Sequence, residues 1–386
     1  MSSSSGSFPR SSRRARPPGR VGRVILALVV VVVVAVAAYG TYVYLSTRSS
    51  GTTLIVYSYA SLLGGSNCNP AVWSEVFGAF ESLHHVTIQL ECPTGNLAST
   101  LVAQKNAPGA DVVIGLDEIT ATQADQAGVL IPYTSPQLVN VAPVLIPEIS
   151  PDHAVTPYEY GYLAIDYNAS FAAQTHGTIA HSAFPNFVEN QSWARQLLIE
   201  DPTLDITGEE FLVWQIEFYS QVLHQDWRTF WSTIDPSLPP AAPDWGTAFG
   251  EFTAGPTSPQ LVVSYASDPA YAAANGAAGA YSSTVSTWNG TLFGWKTIYG
   301  AGIVQGSQHL GLDEALIDWL LSGTVQTLIP TNEWEWPANA TVPLPSVYSS
   351  TIPPASVVAL NDGTSPSSVA SQIPAWLNEW QTLANA

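Results

Sequence analysis

The sequence is poor in basic side chains: eleven Lys and Arg stand against thirty Asp and Glu in 386 residues, for a formal charge of −19. Arg10, Arg13, Arg14, Arg16, Arg20, Arg23 and Arg48 all precede the first carboxylate. From residue 52 onward, Lys105, Arg195, Arg228 and Lys296 alone face all thirty acids, a charge of −26. A surface of that sign repels nucleic acid and anionic lipid and favours cationic or neutral partners. Cysteine is equally scarce. Cys68 and Cys92 are the only two, too few at this spacing for a metal cluster, whereas an even pair outside the cell indicates one disulfide worth about 3 kcal/mol. Catalytic signatures are missing too: there is no Gly-x-Ser-x-Gly elbow, no phosphate-cradling Gly-rich loop ending in Gly-Lys and no His-Glu-x-x-His helix. His84-His85 lacks further ligands at suitable spacing and is read as surface, and Glu209-Glu210 as ordinary first-turn acids at a helix N-terminus. No solenoid-type repeat is present.

What is there begins with a 22-residue uncharged run, Val24 to Leu45, long enough to cross a hydrocarbon core of about 30 Å as one helix. Six arginines before it place residues 1–23 in the cytoplasm as a basic tail. Ala35-Val36-Ala37 has the form of a signal-peptide cleavage site. Against cleavage, the apolar run continues past Ala37 and ends on Tyr39, Tyr42 and Tyr44, as an interface anchor does. The expectation is an uncleaved single-pass anchor over 24–45, a polar linker over 46–52 and an extracellular or periplasmic domain beyond. Sequons at Asn168, Asn190, Asn289 and Asn339 are compatible with an exported surface.

Periodicity predicts a strand over Thr53–Tyr59, a helix over Ala71–Leu83, a strand over Val86–Glu91, a helix over Leu97–Asn106 and a buried strand over Ala110–Gly115. Such alternation predicts an α/β fold with a parallel sheet wrapped by helices. Tyr158–Tyr167 reads as a long strand. A second series follows through Gln196–Ile199, Gly208–Leu223 and Leu261–Ser264, and Leu312–Leu321 and Pro374–Ala384 close the chain as helices. The expected architecture is two-lobed, with 53–158 and 300–386 in one lobe and 159–299 in the other.

Aromatic residues stand beside turn residues where strands end: Tyr59, Trp245 in Asp244-Trp-Gly246, Tyr265, Tyr271 after Asp268-Pro-Ala, and two tryptophans in Ile329-Pro-Thr-Asn-Glu-Trp-Glu-Trp-Pro337. In open α/β sheets ligands bind at the carboxyl ends of strands, so these positions are expected to converge on a cleft, away from helices.

Leu54-Ile-Val-Tyr-Ser-Tyr59, Ala110-Asp-Val-Val-Ile-Gly-Leu-Asp117, Tyr158-Glu-Tyr-Gly-Tyr162, Glu200-Asp-Pro202, Leu261-Val-Val-Ser-Tyr265 with Pro269-Ala-Tyr271, Ile329-Pro-Thr-Asn-Glu-Trp334 and Ala375-Trp-Leu-Asn-Glu-Trp380 carry a further signal in their order and spacing. Over most of 53–386 the chain resembles the thiamine-binding proteins of ABC importers, a branch of the type II two-lobed periplasmic-binding fold. The resemblance implies thiamine as ligand, permease and ATPase subunits as partners, a monomer, no cofactor and no catalysis. It also implies an aromatic cage of Tyr59, Trp245, Tyr265, Tyr271 and Trp334, with Asp117 either holding the ligand or serving a turn, and closure by a hinge near Tyr160 and residues 292–305. Two departures stand out. Ala60 replaces an aspartate that commonly follows the first Tyr-x-Tyr, and Asp205 takes the place of a serine facing a phosphate in relatives. With Glu209 and Glu210 nearby, preference for unphosphorylated thiamine is expected.

Polyamine or ferric-ion binding on the same fold stays open, although no Tyr-Tyr pair of the kind common in iron relatives exists here. A different class is an anchored glycan-acting enzyme using paired carboxylates such as Glu333 and Glu335, whose separation the sequence does not reveal.

Overall fold

The computed structural model describes residues 51–64, 68, 70–255 and 257–384. The basic tail, the 24–45 span and most of the linker lie outside them; among the described residues, no helix is long and apolar enough to cross a membrane.

The strands are β1 (Thr52–Tyr57), β2 (Val86–Glu91), β3 (Val112–Leu116), β4 (Leu130–Ile131), β5 (Thr156–Asn168), β6 (Leu197–Leu198), β7 (Leu261–Tyr265), β8 (Tyr281–Thr284), β9 (Ser286–Trp288), β10 (Thr291–Gly294), β11 (Lys296–Val304), β12 (Trp336–Pro337) and β13 (Val357–Ala359). Ten of them form one sheet with the central order β2-β1-β3-β11-β5-β7-β6, and β9, β10 and β13 form a small second sheet. The large sheet is mixed, which corrects the parallel expectation: β1 and β3 run parallel, as do β6 and β7, whereas β11 is antiparallel to both β3 and β5, and β5 to β7. A strand covered on both faces reads as a continuous apolar run whatever its direction, and β3 and β11 are buried along their whole length.

Two cores form around this sheet. The first gathers Leu54, Val56, Phe77, Phe80, Val112 to Ile114, Ile303 and Leu316; the second gathers Leu163, Phe184, Phe211, Trp214, Phe230, Trp231 and Val263. The chain passes between them on β5, around β11 and repeatedly near its end. On β5, Tyr158 belongs to the first core and Tyr162 to the second; around β11, Trp295 belongs to the second and Ile298 to the first; near the end, Ile329 and Ala338 flank Trp336 in the same way.

Helix Pro366–Ala384 begins well before the expected Pro374, which sits inside it. A mid-helix proline removes one backbone bond, but Val369, Ala370, Ile373, Trp376 and Trp380 all bury on one face, and that burial outweighs the loss. These side chains join the second core, with Trp380 edge-on to Trp231 at 6.0 Å, rather than the first core with which 300–386 was grouped. Expected Gly208–Leu223 resolves into helix Ile206–Glu217 and a wider π-turn, Phe218–Leu223. Cys68 and Cys92 are disulfide-bonded, with Cα atoms 5.9 Å apart. Asn339 is buried and caps Thr341, so of the four sequons this one is closed to a glycan.

Replacing Trp380 by Ala is expected to cost about 3 kcal/mol and to weaken the second core, read as a lower denaturant midpoint with Trp231 fluorescence altered.

Candidate ligand-binding cleft

A cleft of about 880 Å³ opens where the two cores meet, within the roughly 300–1,000 Å³ typical of small-molecule sites. Its wall is built from strand ends and helix starts. The chain leaving β1 supplies Tyr59, β7 ends on Tyr265, β11 supplies Tyr299, and helices Ile206–Glu217, Trp245–Thr253 and Asp268–Ala274 supply Thr207, Trp245, Phe249 and Tyr271. Gly115, at the end of β3 with φ +103°, lets the Tyr59 ring lie against the backbone: a Cβ there would stand 2.3 Å from that ring. Any side chain at 115 would push Tyr59 into the cleft.

Tyr59, Trp245, Tyr265, Tyr271, Trp334 and Asp205 all line the cleft, whereas Asp117 does not. Trp245 stacks on Phe249 with centroids 5.0 Å apart and donates its indole N–H to Ser264 Oγ at 2.8 Å. Tyr271 meets Trp334 edge to face at 5.4 Å, and the Tyr265 and Tyr299 hydroxyls pair at 2.8 Å. Trp245 and Tyr271 stand on helices, not outside them as expected; one opens its helix behind the Asp244 cap and the other lies one turn into the next. Trp336 packs behind the wall against Tyr160 and Tyr348.

Asp117 is the buried N-cap of helix Glu118–Gln126, accepting from the Thr120 amide at 2.6 Å and from its hydroxyl. Of the two roles left open for it, the structure displays the turn role. Asp205 is also a cap, but at the wall: its Oδ1 accepts from the Thr207 amide at 2.9 Å and its Oδ2 from the Trp245 amide at 3.3 Å. Two helix N-termini therefore converge on one carboxylate of the chain itself.

The sequence reading missed Phe249, Tyr299 and Glu159 as wall residues. Tyr299 sits within the apolar run of β11, and only its register opposite Glu159 on β5 brings the pair to the cleft. Among the described residues, seven carboxylates line the wall, from Glu159, Asp205, Glu209, Asp244, Asp268, Glu333 and Glu335, and no Lys, Arg or His does. Burial pushes Glu159 up to about 8 against hydrogen bonds from Tyr158 and Tyr59, and Glu209 up to about 8 with help from the Asp117 charge. Burial also raises Asp268 to about 6, opposed by Ser264, and pushes Glu333 and Glu335 well above the carboxylate range, reinforced in both by the Glu159 charge. Such a wall attracts cations, and its aromatic faces suit a flat one.

No family model matches the chain. The thiamine-binding periplasmic protein of Salmonella typhimurium is 27% identical over 339 residues, spanning 85% of this chain and 92% of the relative, and that of Escherichia coli is 26% identical over the same shares. A solved periplasmic thiamin binding protein superposes with a TM-score of 0.71 at 23% identity, covering 86% of this chain and 96% of its own. This chain is similar to the thiamine-binding periplasmic proteins. Its α/β architecture is of the periplasmic-binding-protein type, and the relatives it matches are binding proteins.

The raised acids set a pH dependence. Glu159 and Glu209 hold protons up to about 8 when folded but only to about 4.3 when unfolded, so the native state binds more protons between those values and stability falls as pH rises through them. The ligand-free protein is expected to melt lower at about pH 8.5 than at about pH 5 by circular dichroism, and Glu159→Gln is expected to reduce that difference.

Proposed function

We propose that this protein is the substrate-binding component of an ABC importer and that it captures thiamine in the cleft between its two cores. The observation that carries the reading is the wall itself: five aromatic side chains singled out in the sequence meet around one cavity whose seven ionisable side chains of Asp and Glu have no basic partner there among the described residues. A flat aminopyrimidine stacks on such faces, and a thiazolium cation is drawn to ring quadrupoles and to carboxylates. The relatives named as thiamine-binding proteins support the same ligand. Transfer to permease subunits requires no covalent step.

Free thiamine is the preferred form in this reading. Phosphate groups favour helix N-termini, yet the two that meet at the wall already hold Asp205, with Glu209 and Asp244 beside them. Ferric ion fits less well: among the described residues, no group of three or more His, Cys, Asp or Glu is arranged to hold a metal ion. A polyamine answers the carboxylates but leaves the aromatic faces without a planar partner.

Closure is assigned to crossings between the cores on β5 near Tyr160, at the start of β11 and between Ile329 and Ala338. A few strand-terminal residues suffice for such a hinge. The two lobes are taken as the chain around the first core, from Leu54 to Tyr158 and from Ile298 to Ile329, and the chain around the second, from Tyr162 to Trp295 with helix Pro366–Ala384. The domain is held at the outer membrane face by the uncleaved span 24–45, six arginines on its inner side.

Fluorescence or calorimetric titration with thiamine, its mono- and diphosphate, spermidine and ferric ion decides the ligand. Tightest binding of free thiamine is expected, and absence of binding to every thiamine form would overturn the proposal. Trp245→Ala or Tyr265→Ala is expected to weaken thiamine binding by about 1–2 kcal/mol. Asp205→Ser is expected to narrow the preference over thiamine monophosphate. For the anchor, the full chain is expected in the membrane fraction and a chain starting at residue 52 in the soluble one.

A further inference from the structure

We propose that Glu159, Glu333 and Glu335 form a cation subsite at the junction of the two cores, where an organic cation bearing N–H donors takes the place of protons held by the ligand-free protein. The inference rests on the thiamine reading and identifies the groups that answer the ligand's N–H-donating end.

All three side chains stand on segments that pass between the cores. Glu159 lies on β5 between Tyr158 of the first core and Tyr162 of the second, and Glu333 and Glu335 lie between Ile329 and Ala338. Their hydrogen bonds leave half of the oxygens over. The Tyr59 hydroxyl stands 2.9 Å from that of Tyr158, 3.3 Å from Glu159 Oε1 and 3.1 Å from Glu333 Oε2, so two O–H protons serve two carboxylates and each other. Glu335 Oε1 accepts from Ser267 at 3.2 Å. Glu159 Oε2, Glu333 Oε1 and Glu335 Oε2 have no partner among the described residues, although Glu159 and Glu335 are only 1% and 5% exposed. Buried polar atoms are almost always paired, and all three residues line the cleft.

Among the described residues, the surroundings add no positive charge. Asp268 faces Glu335 from its helix, Tyr299 stands opposite Glu159 on β11, and Tyr348 donates to the Glu335 carbonyl. Lys296, the buried cation of β11, is committed to Glu148 and Asp362 at 2.7 and 2.5 Å. Gly161 makes room for the group: a Cβ at 161 would lie 2.0 Å from Glu335 Oε2. Three carboxylates crowded in this way do not all ionise without a counter-charge. Burial accordingly keeps Glu159 protonated to about 8. Protons held on these acids are their compensating charge in the ligand-free protein, whereas N–H donors from a ligand turn the free oxygens into satisfied acceptors. The displaced protons pass to solvent buffer, and no covalent bond to carbon changes.

The test is calorimetric titration of the whole protein with thiamine in two buffers of different ionisation enthalpy, repeated across neutral pH. One proton released per ligand is expected, with affinity rising roughly tenfold per pH unit. Glu159→Gln and Glu335→Gln are expected to lower that proton count and flatten the pH profile; Gly161→Ala, which displaces Glu335 without removing its charge, is expected to do the same. Because a glutamine variant can misfold, the infrared band of protonated carboxyl groups in the unaltered protein provides a second readout, expected without ligand at neutral pH and diminished on adding thiamine. Thiamine binding with no proton exchange, or no such band, would overturn the subsite while leaving the proposed function standing. Failure of thiamine to bind would instead remove that function. Spermidine in the same two buffers then decides the subsite, and binding without proton release, or no binding, overturns it.

Discussion

The antiparallel pairing of β5 with β11 is the constraint on which the rest of this molecule depends. Lys296 through Ala301 lie opposite Tyr162 through Thr156, with an irregularity between Tyr299 and Gly300. β5 reaches from one core into the other and β11 begins one residue after Trp295 of the second core, so this ladder both joins the two bodies and defines the gap between them. The irregular step is where Tyr299 comes opposite Glu159, at the cleft wall. A bulge re-aims side chains and strengthens local twist, and Gly300 permits this one, since a Cβ there would meet Val155 at 2.4 Å.

Around that ladder the molecule sets acids where most proteins set apolar or paired groups. Buried carboxylates are ordinarily compensated by a cation or by hydrogen bonds. Among the described residues, Lys296 is paired with Glu148 and Asp362, and Arg228 with Asp226 and Glu379 at the surface. In the proposed subsite, protons are the compensating charge of the cleft acids until a cation arrives. Net charge, scarcity of Lys and Arg, and the chemistry of the ligand thus belong to one electrostatic economy, and the aromatic faces contribute the shape selectivity that charge lacks.

Local pattern carried much of the fold. β2 lies at Val86–Glu91, as its alternation indicated, and helix Pro70–His84 and strands β1, β5 and β7 lie within two residues of where periodicity put them. Strand direction was not legible, because β3 and β11 are apolar along their whole length for the same reason, cover on both faces. Helix Pro366–Ala384 was expected only from Pro374, since a proline's local penalty is visible in sequence while the burial that outweighs it is not. Tyr59, Trp245, Tyr265, Tyr271, Trp334 and Asp205 were legible as wall residues through aromatic placement and resemblance. Asp117 matched the same pattern and faces its own helix instead.

The sequence by itself determined the charge asymmetry, the single cysteine pair and the aromatic residues at element ends, because these are properties of composition and local order. Tertiary structure alone decided that Asp205 accepts amides from the N-termini of two helices at once, that Tyr299 and Glu159 share the cleft, and that Glu159, Glu333 and Glu335 keep free oxygens there. Those facts depend on registers and crossings between residues far apart in the chain, where a shift of one position turns a side chain from the cleft to the opposite face of the sheet.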